Sequence, residues 1–196
     1  MKTTFTNKLL LSAGVAALAM TAGTAQAQTE PVVATVTVQN ALTLAEVDPL
    51  DFGIVAVTSH NVNTATLTIN PLTDALTTAT TGAPAVFAVV DGTNATAAQI
   101  TVADAADGAA LQITINNVVN PVFGGSAFTL NGWQTSWNGG AATARTAGTV
   151  FSYTFLTAFG PNLNTIDIGA NLVTQIAVPL YADGLYSGSF DVVFSY

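Results

Sequence analysis

The side chains with which proteins do acid–base or nucleophilic chemistry are scarce in this chain. His60 is its only histidine and cysteine is absent, which excludes a Cys–His couple and a histidine-rich zinc site. Ser59 adjoins His60 in sequence, and no serine sits in the glycine-flanked elbow that a Ser–His–Asp triad uses on hydrolase folds. The nearest carboxylate pairs, Asp48 with Asp51 and Asp104 with Asp107, have the residue types of a glycosidase pair. Each lies beside proline or glycine, where aspartate commonly closes a turn on its own backbone. Asp104-Ala-Ala-Asp107-Gly108 also lacks the fuller ligand spacing of a calcium loop. The expectation is a protein without catalytic residues, metal or cofactor. Trp133 and Trp137, in a Gly/Asn-rich stretch, form the one constellation suited to a ligand, an aromatic platform for a sugar ring. Their structural alternative is to cap the end of a core.

The elements that must position these residues begin after a leader. Lys2 and Lys8 flank a polar start, Leu9 to Met20 is apolar, and Ala25-Gln26-Ala27 offers small residues for cleavage, so residues 1–27 are expected to be a secretory signal peptide. The apolar run is too short for a membrane span, and no later stretch is long and apolar enough to cross as a helix. Residues 28–196 then form one domain. They carry a single arginine, Arg145, against eleven carboxylates, a formal charge near −10. Such a surface repels phosphate backbones, and a nucleic-acid partner is excluded. Half the chain is hydrophobic, so it folds rather than staying disordered. Without disulfides, packing and backbone pairing must stabilise it.

Period-two patterning runs through the rest. Val32, Ala34, Val36, Val38, Leu42 and Leu44 alternate with polar residues, and Asp48-Pro49 interrupts the run. A second strand is expected from Leu50 to Val55, a third from Thr64 to Asn70, and a threonine-rich turn from Leu72 to Thr81. Ala85 to Val90 is apolar on both faces, which predicts a central strand covered on both sides. Gln99–Ala103 and Leu111–Ile115 follow, then a hairpin with long loops over Pro121–Gly148 in which Phe128 and Leu130 are the clear strand pair. Phe151–Phe155, Ile166–Ile168 and Leu172–Leu180 complete the set, and Thr93–Gln99 is the one helix candidate. Turns about every ten residues predict an all-β, antiparallel sandwich of eight to ten strands.

The chain closes on Gly184-Leu-Tyr-Ser-Gly-Ser-Phe-Asp-Val-Val-Phe-Ser-Tyr196. Phe190, Val192, Phe194 and Tyr196 share one face of this strand. A final alternating strand ending in an aromatic after a signal peptide also suits an outer-membrane barrel. The runs at 99–103, 128–130 and 166–168 fall short of the roughly nine to eleven residues a barrel strand needs.

Taken in order, the signal peptide, the alternating Val32–Val38, Leu50-Asp51-Phe52-Gly53 and the closing Gly184–Tyr196 stretch resemble an uncharacterised family of bacterial secreted domains. More distantly they resemble spore coat protein U and the archaic chaperone–usher pilins. The resemblance covers the two ends of the exported chain. It implies an incomplete immunoglobulin-like or pilin-like sandwich completed by the N-terminal segment of the next subunit, an addition of strand to a sheet edge. On this sequence Val32, Ala34, Val36 and Val38 become the donor strand. Phe190, Val192, Phe194 and Tyr196 become the assembly edge, first held by a periplasmic chaperone. The chain departs from the pilins in having no cysteine after the donor segment and only four residues between the expected cleavage and Val32. Residues 28–44 are therefore either a donor or the domain's own first strand.

The implied role is a non-catalytic structural or adhesive protein of a Gram-negative bacterium, exported to the periplasm, cell surface or medium, and a fimbrial subunit whose partners are copies of itself and a chaperone. The alternative is a monomeric secreted carbohydrate-binding module using Trp133 and Trp137.

Overall fold

The computed structural model describes residues 42–58, 63–82, 86–157, 163–176 and 180–196. The chain divides into Met1–Val38 and Gln39–Tyr196, and all described residues belong to the second unit. The expected signal peptide, Val32, Ala34, Val36, Val38 and His60 lie outside the described residues.

The β-branched and aromatic runs form strands, and no helix occurs among the described residues. The helix candidate at Thr93 is instead a turn, in which the Thr93 N–H donates to Asp91 Oδ1 at 2.9 Å, followed by a bridge between Thr96 and Asp51. Twelve strands are described, all paired antiparallel: β1 (Thr43–Asp48), β2 (Ile54–Thr58), β3 (Ala65–Ile69), β4 (Leu76–Thr80), β5 (Val86–Asp91), β6 (Ala98–Ala103), β7 (Ala110–Phe123), β8 (Ser126–Trp137), β9 (Thr143–Ala144), β10 (Phe151–Thr154), β11 (Asn164–Thr174) and β12 (Ser187–Ser195).

The central strand of one layer is β11. Its even residues from Asn164 to Thr174 all point inward and are buried, while Thr165, Asp167, Asn171 and Val173 are partly exposed on the other face. β8 lies along one edge of it; β6 and then β3 share the other, with β1 beyond β6 and β4 beyond β3. The facing layer is built on β7, flanked by β10 on one side and β12 on the other. Leu111, Ile113 and Ile115 of β7 meet Ile166, Ile168, Ala170 and Leu172 of β11 in a single apolar core, which also takes in Phe128, Phe151 and Phe155. The hydrogen-bonded path ends at β1 and β10 and does not close on itself. The domain is a β-sandwich and not a barrel.

The two layers share one hairpin. β7 and β8 pair only at its tip, Val122 with Ala127 and Phe123 with Ser126, around Gly124 and Gly125. Below the tip the strands part, each into its own layer. Both are bulged where they part: β7 gains a residue against β12 at the left-handed Asn117, and β8 gains one against β11 at Gly132, with φ of +57°. The gain at Gly132 shifts the inward set from Ser126, Phe128 and Leu130 to Trp133, Thr135 and Trp137.

Several sequence expectations are corrected here. Residues 121–148 are a hairpin with a tight two-residue turn: the end of β7, Gly124-Gly125 and the twelve-residue β8, followed by the short β9. Leu76–Thr80 is a strand. Ile166, Ile168 and Leu172 lie on one strand, while Ile176 and Leu180 are exposed beyond it. Val86–Asp91 is not a covered central strand: it pairs with β2 alone in a two-stranded ribbon. Phe87 faces the core, and Val90 on the outer side is 66% exposed. Leu44 is exposed on β1, whose outer edge has no partner among the described residues.

Candidate functional site

The closing strand is built as its alternation demands. Phe190, Val192 and Phe194 of β12 are half-buried against the core, while Ser189, Asp191, Val193 and Ser195 face solvent. Tyr196 lies just past the strand and is 46% exposed, so it belongs to the expected face in sequence but not to the packed set. Phe190 lies on Trp133, with ring centroids 4.8 Å apart, in the 4.5–7 Å range where tilted aromatic pairs attract. β12 hydrogen-bonds β7 from Ser187 to Ser195. Its other edge has no partner among the described residues, which leaves a row of backbone groups open beside an apolar, incompletely covered face.

The two tryptophans are not a paired platform. Both sit on β8, where the bulge at Gly132 aims them inward. Trp133 is 3% exposed and part of the core. Trp137 is partly buried, stacks on Tyr153 at 5.1 Å with rings 8° from parallel, and donates its indole N–H to Thr154 O at 3.1 Å. Both fill the role of capping and lining the core.

Sequence reasoning passed over Arg145. Its backbone N–H donates to Trp133 O at 2.8 Å, fixing the residue beside the parted β7–β8 strands. Its Nε donates to Thr135 Oγ1 and its Nη2 to Tyr153 Oη, each at 2.9 Å. The guanidinium lies over Phe151, 4.3 Å from the ring centroid. No carboxylate pairs with it among the described residues. Its being the single cation of residues 28–196 is the signal that could have drawn attention to it.

Of the paired aspartates, Asp51 closes a turn, its Oδ1 accepting from the Gly53 N–H at 2.8 Å, whereas Asp107 Oδ1 accepts from the Thr157 N–H at 2.9 Å and Asp104 Oδ2 from the Thr43 hydroxyl, both far away in sequence. The Thr157 amide and hydroxyl hold the Asp107 carboxyl below its ordinary value. Asp167 differs: burial pushes its carboxyl upward and the charge of Asp74 adds to this, against the Gln99 amide that donates to it at 2.7 Å. Asp48, Asp74 and Asp167 border one small polar depression, but no group of three acidic or histidine ligands is close enough to hold a metal among the described residues.

Among known proteins, the profile of the family described as a domain of unknown function (DUF4402) matches residues 42–196. The chain belongs to the DUF4402 family. No curated protein and no solved structure matches it. The DUF4402 match begins at Leu42, after the alternating Val32–Val38 segment and the expected signal peptide, and runs through β12 to Tyr196.

Proposed function

We propose that this DUF4402 protein is a non-catalytic structural or adhesive subunit of the bacterial surface. Copies join when the segment carrying Val32, Ala34, Val36 and Val38 adds as a strand to the open edge of β12 on the next copy. The observation that carries this reading is that edge: a nine-residue strand paired on one side only among the described residues, with Phe190, Val192 and Phe194 half-covered beneath it. A strand laid there satisfies the open backbone groups and buries those three side chains together, the physical basis of recognition by strand addition. An edge of this kind invites mispairing, which supports a chaperone that covers it during export. The pilin resemblance and the alternating segment ahead of the family domain support the same reading.

The test compares the exported chain with a form lacking residues 28–38. The parent is expected to form ladders that survive mild denaturant, and the truncated form to stay monomeric and to take up one added peptide of residues 28–41 per copy without forming ladders. A stable monomer in both cases would remove the filament reading. The alternative of a monomeric carbohydrate-binding module on Trp133 and Trp137 draws little support from their positions, because Trp133 is buried under Phe190.

A further inference from the structure

We infer that the fork of the β7–β8 hairpin is a binding site for an acidic sugar, with Arg145 recognising its carboxylate. This goes beyond the assembly reading and does not rest on it, since the fork opens on the edge of β7 opposite β12.

Where β7 and β8 part, the strap from Arg145 to Gly148 crosses the opening, tied to β8 by the Arg145 N–H and to β7 by the Gly148 N–H, which donates to Ile115 O at 2.8 Å. A cleft of about 430 Å³ remains between strap and strands, within the range of small-ligand sites. Val118 and Ala147 form apolar walls above the buried Leu130 and Trp133, Asn131 and Thr146 bring an amide and a hydroxyl, and Arg145 borders it. A cleft with apolar walls, two neutral polar groups and one cation suits a hydroxylated ring that bears a carboxylate.

The charge decides the class of ligand. Residues 28–196 hold eleven carboxylates and one arginine, yet the arginine pairs with none of those in the described residues. It is positioned entirely by neutral groups, two hydroxyls and an aromatic face. Of the five N–H groups of a guanidinium, the bonds to Thr135 and Tyr153 use one on Nε and one on Nη2. No further bond among the described residues engages Nη1 or the second N–H of Nη2, and these form the forked edge with which a guanidinium takes a carboxylate through two parallel bonds. No residue lining the cleft is acidic, so an incoming carboxylate meets no like charge within it. A structural arginine in so acidic a chain has many carboxylates to choose from; this one is held without any among the described residues.

Two sources of sugar carboxylate are compared on the full chain by calorimetry: an oligogalacturonate and N-acetylneuraminate, each against its carboxyl-reduced neutral counterpart. One or both acids are expected to bind, more weakly as salt is raised, with the neutral forms bound at least tenfold more weakly. Arg145→Gln should cost roughly ten- to hundredfold in affinity, the worth of a charged hydrogen-bonded contact, and Arg145→Lys should restore part of it. Because Arg145 also ties the strap, Ala147→Glu is the second variant: it puts a negative charge on an exposed wall residue, and should abolish acid binding with an unchanged melting temperature. Failure of both acids to bind, equal binding of acid and neutral forms, or unaltered affinity in Ala147→Glu would each overturn the proposal. Filament formation is unaffected by any of these outcomes, so the two readings fail separately.

Discussion

Gly132 decides what Trp133 does. Its φ of +57° lies in the left-handed region, and a Cβ there would run into the side chain of Asn171. Gly132→Ala is therefore expected to destabilise the fold by about 1–3 kcal/mol, read as a lower urea midpoint with weaker burial of tryptophan fluorescence. That same glycine explains why the sequence left the aromatic pair between a ligand platform and a core cap. Phe128 and Leu130 occupy even positions, Trp133 and Trp137 odd ones, and the alternation is continuous only if one residue slips at Asn131-Gly132. Asp167 supports a prediction of opposite sign. Its folded carboxyl is raised by burial and by Asp74, so the folded chain holds that proton more tightly than the unfolded one. Its contribution to stability is full below the ordinary carboxylate value and is lost as pH rises through the raised one. Asp167→Asn should melt higher than the parent at pH 7, with the gap closing in acid, and equal melts across that range would refute it. The exposed Asp91 and Asp107 are held low instead, Asp91 by the Thr93 hydroxyl and amide and Asp107 by the Thr157 amide and hydroxyl. Their contributions run the other way, lost on acidification, and cancel when variant is compared with parent.

Among the elements, strands with unbroken alternation were legible and bulged or ribbon strands were not. Ala65, Leu67 and Ile69 of β3, and Leu111, Ile113 and Ile115 of β7, are fully buried as their spacing requires. β7 continues to Phe123, but the left-handed Asn117 shifts its inward set and Asn120-Pro121 follows, so its second half has no regular period. There the Asn120 side chain accepts from the Leu130 N–H at 2.9 Å, standing in for a ladder bond between the parting strands. β5 misleads in a different way: a run apolar on both faces fits a covered strand, yet only Phe87 is buried and β2 is its single ladder partner. Phe87→Ala should cost about 3–5 kcal/mol. Val90→Thr should stay within about 0.5 kcal/mol. Equal losses on denaturant unfolding would restore the expectation of a strand covered on both sides. The donor and assembly pairing belongs to this scale too. Its edge is described and its expected partner, Val32 to Val38, is not, which is why deletion of that segment is the deciding experiment.

At the scale of the whole molecule, a chain this poor in basic residues has one place where trypsin can cut the domain, after Arg145. The guanidinium is engaged by Thr135 and Tyr153, and the backbone on its N-terminal side is bonded to β8. Native protein should resist trypsin, and cutting should follow the unfolded fraction as denaturant is added, giving two fragments. Rapid cutting under native conditions would place the strap outside the stable core. All-β antiparallel architecture was the most legible property of all, because it rests on period and composition rather than on any one position.

The place of β11 in the layer has a consequence for how the domain is made. The Ala65 N–H finds its partner in Thr174 Oγ1, 109 residues further on, and β3, β6 and β8 all require β11 as neighbour. A chain emerging from its N-terminus has these three strands in hand long before the one that joins them. Forms truncated before Asn164 should accordingly gain no cooperative fold, and the complete domain should fold slowly, as proteins rich in distant pairings do. During that interval strand edges stand open in a crowded solution. The last sixth or so of the sequence, from Asn164, acts as the clasp, and the time until it arrives sets the period of vulnerability.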